Sequence, residues 1–182
     1  MDKTLISILD TEGPCSLEVS NRTFSNENIE EFFDCSYFHK VNFINCSFNE
    51  CHFLGSNFDF CCFEKCKFTN LTMRKSDITD CKFKECQFIK SILGPRIDFF
   101  RTSFNNCKFL SVDLSFVFLC DCEFTEVNLN KIKFCSTSLN NPKINNIIWN
   151  NLEFDKDKPL LIDFEKASEP ISMKITESSI SL

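Results

Sequence analysis

The stretch CSFNECHFLGSNFDFCCFEKCKF, residues 46–68, determines the architecture of this chain. It places phenylalanine at every fifth position, at Phe48, Phe53, Phe58, Phe63 and Phe68. A helical face repeats every ~3.6 residues and a strand face every ~2 residues, so a period of five matches neither. The backbone must therefore turn at regular short intervals.

The same column of apolar residues continues in both directions. It runs from Phe33 to Leu139 with one extra residue at Gly94, and 15 of its 22 members are phenylalanine. The position two residues before each member is mostly small or β-branched, as at Cys46 and Val112, and the other three positions are mostly polar. A repeat of this length outweighs local propensity as a guide to the fold.

Geometry explains the five-residue unit. Three extended residues place the first and third side chains on one side of the strand and the second on the other. The small residue and the following phenylalanine therefore both point inward, and the two remaining residues turn the chain. Four turns close a square coil of about twenty residues, and about five to six such coils stack at roughly 4.8 Å through strand-type hydrogen bonds. The pattern predicts an all-β solenoid with little helix.

Units such as CSFNE, CHFLG, SNFDF, CKFTN and CEFTE have the form small–polar–(Leu/Phe)–x–x and resemble the repeats of the pentapeptide-repeat proteins. The resemblance covers residues 31–141, with weaker matches at Phe24, Ile29, Ile144, Trp149 and Phe154. It implies a right-handed quadrilateral β-helix. The chain departs from the family pattern in using Cys where Ala is commonest and in strongly preferring Phe over Leu.

We expect three segments along the chain. They are an N-terminal cap segment at 1–30, the solenoid at 31–154 with a one-residue slip at 94–96, and a C-terminal tail at 155–182. In the tail, Ile171, Met173 and Ile175 alternate with other residues, which is typical of a capping or pairing strand. A homodimer formed through a terminal coil is compatible with this pattern.

Position within the repeat distinguishes the 13 cysteines. Eight fall in the small inward column and are predicted to be buried, reduced and unreactive; these are Cys46, Cys51, Cys61, Cys66, Cys81, Cys86, Cys107 and Cys122. Parallel side chains in successive coils do not suit a disulfide. Cys62, Cys120 and Cys135 are placed at outward positions and are the thiols expected to react.

The sequence predicts no enzyme, cofactor or metal site. His39 and His52 are the only histidines and lie at outward positions, and the chain has no CxxC pair and no Gly-rich phosphate loop. A metal- or thiol-dependent enzyme is therefore the least favoured alternative. No stretch approaches the ~20 apolar residues of a membrane span, and the opening TLISIL is too short for a signal peptide, so we expect a cytoplasmic protein without membrane contact.

The net charge of −6 is concentrated at the ends of the chain. Residues 33–139 contain 13 Lys and Arg against 12 Asp and Glu, whereas residues 1–32 contain 2 against 7. The family resemblance implies a protein partner, with DNA gyrase or another topoisomerase as the specific candidate, and no direct nucleic-acid binding. A general protein-interaction scaffold with an unrelated partner is the alternative, and the near-neutral rod favours it.

One face of the predicted coil stands out as a partner-binding surface. It is centred on the column that contains Phe38 and Phe58, and its carboxylates are opposed only by Lys40 and Arg101. The residues assigned to binding on this face are Tyr37, Asp59, Phe60, Asp77, Asp80, Asp98, Phe100, Phe118 and Asp121. Exposed aromatic residues among charges of one sign are typical of a recognition surface. The face with Lys67, Lys90, Lys108 and Lys131 is expected to be adjacent to it.

Overall fold

The computed structural model describes residues 4–13, 15–154, 161–163 and 173–175. In chain order the elements are α1 (Leu5–Glu12), β1 (Glu18–Ser20), β2 (Thr23–Ser25), β3 (Asn28–Ile29), β4 (Tyr37–His39), β5 (Asn42–Ile44), β6 (Ser47–Asn49), β7 (His52–Leu54), β8 (Asn57–Asp59), β9 (Cys62–Glu64), β10 (Lys67–Thr69), β11 (Thr72–Arg74), β12 (Ser76–Thr79), β13 (Lys82–Lys84), β14 (Gln87–Ile89), β15 (Ile92–Leu93), β16 (Ile97–Phe100), β17 (Ser103–Asn105), β18 (Lys108–Leu110), β19 (Val117–Cys120), β20 (Glu123–Thr125), β21 (Asn128–Asn130), β22 (Lys133–Phe134), β23 (Ser138–Asn140), β24 (Lys143–Asn145), β25 (Ile147–Asn150), β26 (Glu153–Phe154), β27 (Leu161–Asp163) and β28 (Met173–Ile175).

The strands form four parallel stacks, which we call faces A to D in the order in which the chain visits them. Face A contains β1, β4, β8, β12, β16, β19, β23 and β27, and face B contains β2, β5, β9, β13, β17, β20 and β24. Face C contains β3, β6, β10, β14, β18, β21, β25 and β28. Face D contains β7, β11 and β15, and continues through bridges at Asp113 to β22 and β26. The predicted fold class, an all-β right-handed quadrilateral β-helix, is confirmed.

The predicted number of coils was too low. The described parts of faces A and C each contain eight strands, because coils form before Phe33 and after Leu139 as well as between them. In the first coil Glu18 pairs with Tyr37, an offset of 19 residues, whereas Tyr37 pairs with Asn57. One residue fewer in this coil shifts the repeat and weakens the sequence pattern there.

Each five-residue unit buries two side chains and turns at its last residue. All 22 residues of the central column are at most 8% exposed, and the preceding small residues, such as Cys46, are buried beside them. The last residue of the unit has positive φ, for example 54° at both Asn45 and Glu50. Left-handed backbone is unfavourable for residues other than glycine. Hydrogen bonds between coils offset this cost, such as that from the Glu50 N–H to the Thr69 carbonyl (2.9 Å).

Phenylalanine rings fill the interior as nearly parallel stacks. The rings of Phe38 and Phe58 lie 4.8 Å apart, and those of Phe68 and Phe88 lie 4.6 Å apart. Rings of neighbouring columns meet edge to face, as Phe43 and Phe48 do at 5.3 Å. Both arrangements are favourable for aromatic pairs, so the core is held together along the axis and across it.

Helix α1 packs against the N-terminal end of the stack. Leu5, Ile8 and Leu9 are buried in the same core as the phenylalanine columns. The Thr4 hydroxyl accepts a hydrogen bond from the Ser7 N–H (3.1 Å), and the Leu5 N–H donates to the Glu27 carboxylate (3.0 Å). These contacts satisfy N–H groups that a helix start leaves open. In the part of the chain that the structure describes, no helix is long and apolar enough to cross a bilayer.

The predicted division into three segments at residues 30 and 154 stays a prediction. Three strands, β1 to β3, lie within the predicted cap segment and pair with the following coil. Within the predicted tail, β27 pairs with β23 and β28 pairs with β25. Ile171 and most of the remaining tail lie outside the described residues.

The extra residue of the slip lies between β15 and β16. Thr72 pairs with Ile92, an offset of 20, but Ser76 pairs with Ile97, an offset of 21. Gly94 occupies this segment with φ of 155°, and a Cβ atom added to it would lie 2.1 Å from the Ser115 carbonyl oxygen. Glycine is needed here because the backbones of two coils approach closely.

Replacing Gly94 by alanine should lower the free energy of unfolding by about 1–3 kcal/mol, because the new methyl group has no room. Urea denaturation followed by circular dichroism measures the change. Gly55→Ala is the matched control, since its φ is also positive (68°) but its nearest neighbour, Cys35 Sγ, is 3.7 Å from the added Cβ. Equal losses in both variants would contradict the close approach at Gly94.

Candidate protein-binding face

The structure places all nine residues of the predicted binding surface on face A. Strand pairing sets Asp77 beside Asp98 and Asp98 beside Phe118 in successive coils. A second row runs through Asp59 and Phe100, and Tyr37 lies on β4 one coil before Asp59. Phe60, Asp80 and Asp121 follow at the corner of the same face, each with positive φ. Neighbouring strands lie about 4.8 Å apart, so the side chains form closely spaced rows.

The aromatic residues of face A divide into two groups. Tyr37 and Phe60 are exposed (37% and 53%), and the ring of His39 lies between them, 6.1 and 5.8 Å from theirs. Phe100 and Phe118 are half-buried and meet edge to face at 5.8 Å. The exposed aromatic area therefore lies toward the N-terminal end of the face. His39, which the sequence did not assign to the site, is part of it.

Three of the carboxylates on face A are already engaged. The Tyr37 hydroxyl donates to Asp59 (2.8 Å), and this bond raises the pKa of Tyr37. Arg101 binds both oxygens of Asp80 (2.7 and 2.8 Å) and lowers the pKa of that carboxyl. The Asn141 amide donates to Asp121 (2.5 Å). These groups stabilise one another and are less available to a partner.

Asp77 and Asp98 differ from the other carboxylates. They lie side by side on β12 and β16, and within the described residues no cation is at ion-pair distance from either. Partial burial, and then the charge of Asp77, raise the pKa of Asp98. Two adjacent carboxylates without a counter-ion are an unsatisfied electrostatic feature, which a cation from outside would relieve.

The lysine face was predicted next to face A, and this was wrong. Lys67 and Lys108 lie on β10 and β18 of face C, which is separated from face A by face B. The columns of the two faces are two corners apart in a four-sided coil, so acidic and basic faces lie on opposite sides. Lys90 and Lys131 follow the strands of face C at its corner.

The inward cysteines occupy the buried positions predicted for them. All eight are at most 2% exposed, and all 13 thiols of the chain are free. Burial raises the pKa of Cys51 to about 11 and that of Cys122 to about 12. Cys62 and Cys120 are half-buried, and burial raises the pKa of both.

Cys135 was predicted to point outward, but it is buried (7% exposed). Its short side chain lies on the floor of a groove on face D. Among the residues that the structure describes, no three His, Cys, Asp or Glu side chains form a group that could hold a metal ion.

The repeating unit of this structure is also found in known proteins. The family model for pentapeptide repeats matches residues 33–70 in eight copies, and the same five-residue unit with its inward pair and positive-φ corner extends well beyond that range. The chain contains pentapeptide repeats. No curated protein matches this chain.

Solved structures similar to this chain have low sequence identity. Full-length QnrB1, a plasmid-mediated fluoroquinolone resistance protein, is 14% identical, with a TM-score of 0.39 and coverage of 83% of this chain and 96% of its own. HetL, a pentapeptide-repeat protein involved in heterocyst differentiation regulation from the cyanobacterium Nostoc sp., is 10% identical, with a TM-score of 0.25 and coverage of 85% and 81%. Rfr23 from the cyanobacterium Cyanothece is 11% identical, with a TM-score of 0.23 and coverage of 87% and 97%.

Proposed function

We propose that this chain is a non-catalytic pentapeptide-repeat protein that acts by binding another protein through face A. The observation that carries the proposal is the pair Asp77 and Asp98, adjacent carboxylates without a described cation nearby. The exposed rings of Tyr37 and Phe60 lie on the same face. Exposed aromatic residues supply contact area, and the carboxylates select a partner that presents positive charge.

The specific partner that we propose is DNA gyrase or a related topoisomerase, whose activity the protein would protect or modulate. Such enzymes hold duplex DNA in basic grooves, and rows of carboxylates about 4.8 Å apart are complementary to a basic groove. Direct binding of nucleic acid by face A is not part of this proposal, because its carboxylates would repel phosphates. Protection of this kind takes place in the cytoplasm, where the 13 thiols would also stay reduced.

The second candidate is a general scaffold with an unrelated protein partner. The observation that favours it is the engagement of Asp59, Asp80 and Asp121 within face A, which leaves a small acidic area rather than a continuous acidic rod. A short acidic area beside exposed rings suits a compact basic epitope as well as an extended DNA groove. A homodimer formed through a terminal coil is compatible with both candidates.

A supercoiling assay tests the gyrase proposal. The purified protein, added to gyrase with and without a quinolone, should relieve poisoning or inhibit supercoiling. The variant Asp77→Asn/Asp98→Asn should lose this effect while remaining folded, because it removes the unpaired charges and keeps the side-chain shapes. Phe60→Asn should weaken it separately, since asparagine tolerates the positive φ of Phe60 (54°) but removes the ring.

The matched control is Lys67→Gln/Lys108→Gln on the opposite face, which should leave the effect unchanged. If the wild-type protein has no effect at large molar excess over the enzyme, the scaffold candidate replaces the gyrase proposal. If the lysine variant loses the effect and the aspartate variant retains it, face C is the binding surface and the assignment to face A is wrong.

A further inference from the structure

A groove of about 260 Å³ lies on face D, beside the slip at Gly94. Face D is adjacent to face A, but the groove contains none of the nine residues considered for that surface. Its walls include the apolar side chains of Ile92, Pro95 and Phe116. Ile92 and Phe116 are 39% and 46% exposed, so each leaves a large apolar area open to solvent.

The groove exists because three successive coils carry short residues directly after their central residue. Gly94 follows Leu93, Ser115 follows Leu114, and Cys135 follows Phe134. One coil earlier the same position is occupied by Arg74, whose long side chain lies at the end of the groove. Short side chains on the floor between larger residues on both sides produce a depression rather than a flat face.

The floor contains an unsatisfied polar group. Ser115 is 9% exposed, and within the described residues its buried hydroxyl has no hydrogen-bond partner. A buried hydroxyl without a partner is uncommon in folded proteins. Its location on the lining of the groove indicates that a ligand with a hydrogen-bonding group would be favoured there.

Positive charge surrounds the groove. Arg74 and Lys133 lie on its lining, and Lys75 and Arg96 are at the corner next to it, where the Lys75 N–H bonds to the Pro95 carbonyl (3.3 Å). In residues 15–154, no carboxylate lies within ion-pair distance of any of these four cations. The one carboxylate on the lining, Asp113, accepts a hydrogen bond from the Ser115 N–H (2.9 Å).

We propose that this groove binds a short, extended, acidic peptide segment of a partner protein. An apolar side chain of the peptide packs between Ile92 and Phe116, and flanking carboxylates bind Arg74 and Lys133. Charge complementarity determines the sign of the ligand, and the apolar walls favour a peptide over nucleic acid because a phosphate backbone has no apolar group to place between them. The site is separate from face A, which would take a basic partner.

Fluorescence anisotropy with a defined probe tests the proposal. The probe is a short fluorescein-labelled peptide in which one leucine is flanked by aspartates, added to the full-length protein at low salt. Saturable binding is expected, and Arg74→Gln/Lys133→Gln should weaken it about two- to thirty-fold, since two exposed charge pairs are lost. Phe116→Asn should weaken it several-fold, because asparagine keeps the positive φ of Phe116 (59°) and removes the apolar wall.

Three controls test whether binding depends on the groove and on the leucine of the probe. Lys82→Gln/Lys143→Gln removes the same charge from face B and should bind like wild type, as should Asp77→Asn/Asp98→Asn on face A. A probe with serine in place of leucine should bind several-fold more weakly. The proposal is overturned if both probes bind equally tightly. It is also overturned if the Arg74→Gln/Lys133→Gln variant binds the leucine probe as tightly as the wild-type protein does. A short DNA duplex that displaces the probe and binds more tightly through Arg74 and Lys133 overturns it in favour of nucleic acid.

Discussion

Replacing Phe63 by alanine should lower the free energy of unfolding by about 3–5 kcal/mol, the cost of removing a large side chain from a packed core. Phe63 is 4% exposed and lies in the middle of a stack, parallel to Phe43 at 5.0 Å and to Phe83 at 4.7 Å. Its ring also meets Phe68 edge to face at 5.6 Å. The neighbouring rings belong to three different strands that the coil pairing holds in place, so they cannot move inward to fill the space.

Urea denaturation followed by circular dichroism measures this loss, and Phe60→Ala is the matched control. Phe60 is three residues earlier in the chain but 53% exposed at a corner, so the same substitution should change the free energy of unfolding by less than about 1 kcal/mol. Phe63→Asp should be more severe than Phe63→Ala, because it places an unpaired charge in the core. Comparable stability of the Phe63 and Phe60 variants would mean that the ring stack contributes little.

Cys86 should react with iodoacetamide on the order of 10³-fold more slowly than Cys15, because reagent reaches it only when the coils open. Cys86 is fully buried (0% exposed), whereas Cys15 is exposed. Hydrogen bonding with the neighbouring Cys107 and Cys66 thiols, and then burial, also raise the pKa of Cys86, so little reactive thiolate is present there at neutral pH. Both effects act in the same direction.

Mass spectrometry of peptides labelled for increasing times measures each thiol separately. Cys35, which is exposed, should label like Cys15, and the half-buried Cys62 and Cys120 should have intermediate rates. Denaturant should bring all rates together, which controls for differences in local sequence. Rapid labelling of Cys86 in the folded protein would contradict the buried column.

Side-chain volume made the fold predictable from the sequence. A large ring every fifth residue with a small residue two places before it, as at Cys46 and Phe48, is compatible with few backbones other than a four-sided coil. The coil before Phe33 gave only the weak matches at Phe24 and Ile29, because the first coil is one residue shorter and Ile29 precedes Phe33 by four residues instead of five. A change of length in a single coil interrupts the period without interrupting the stack.

The positions of the residues in the rows of face A were predictable from the regular repeat. The hydrogen bonds and burial of their side chains were not. A constant offset between coils is sufficient to place Asp77 next to Asp98. Whether a carboxylate is engaged depends on rotamers, as in the bond from Tyr37 to Asp59, and no spacing rule supplies these. Half-burial of Phe100 likewise depends on its contact with Phe118 in the next coil.

The groove on face D had a sequence signal that the period alone conceals. Gly94, Ser115 and Cys135 are 21 and 20 residues apart, which is the offset between coils once the slip is included. Following the position after each central residue, rather than the central residue itself, identifies three short side chains in line. The burial of Cys135 follows from the same alignment.

The pairing of each strand with only the strands one coil before and after it makes the molecule extensible in fixed steps. Duplicating or deleting about twenty residues within the regular region would add or remove one layer of roughly 4.8 Å and leave the other layers with their own neighbours. Gene-level lengthening would therefore extend every face at once without redesign of the core. The length of the binding surface can thus change during evolution while the exposed side chains of each layer stay the same.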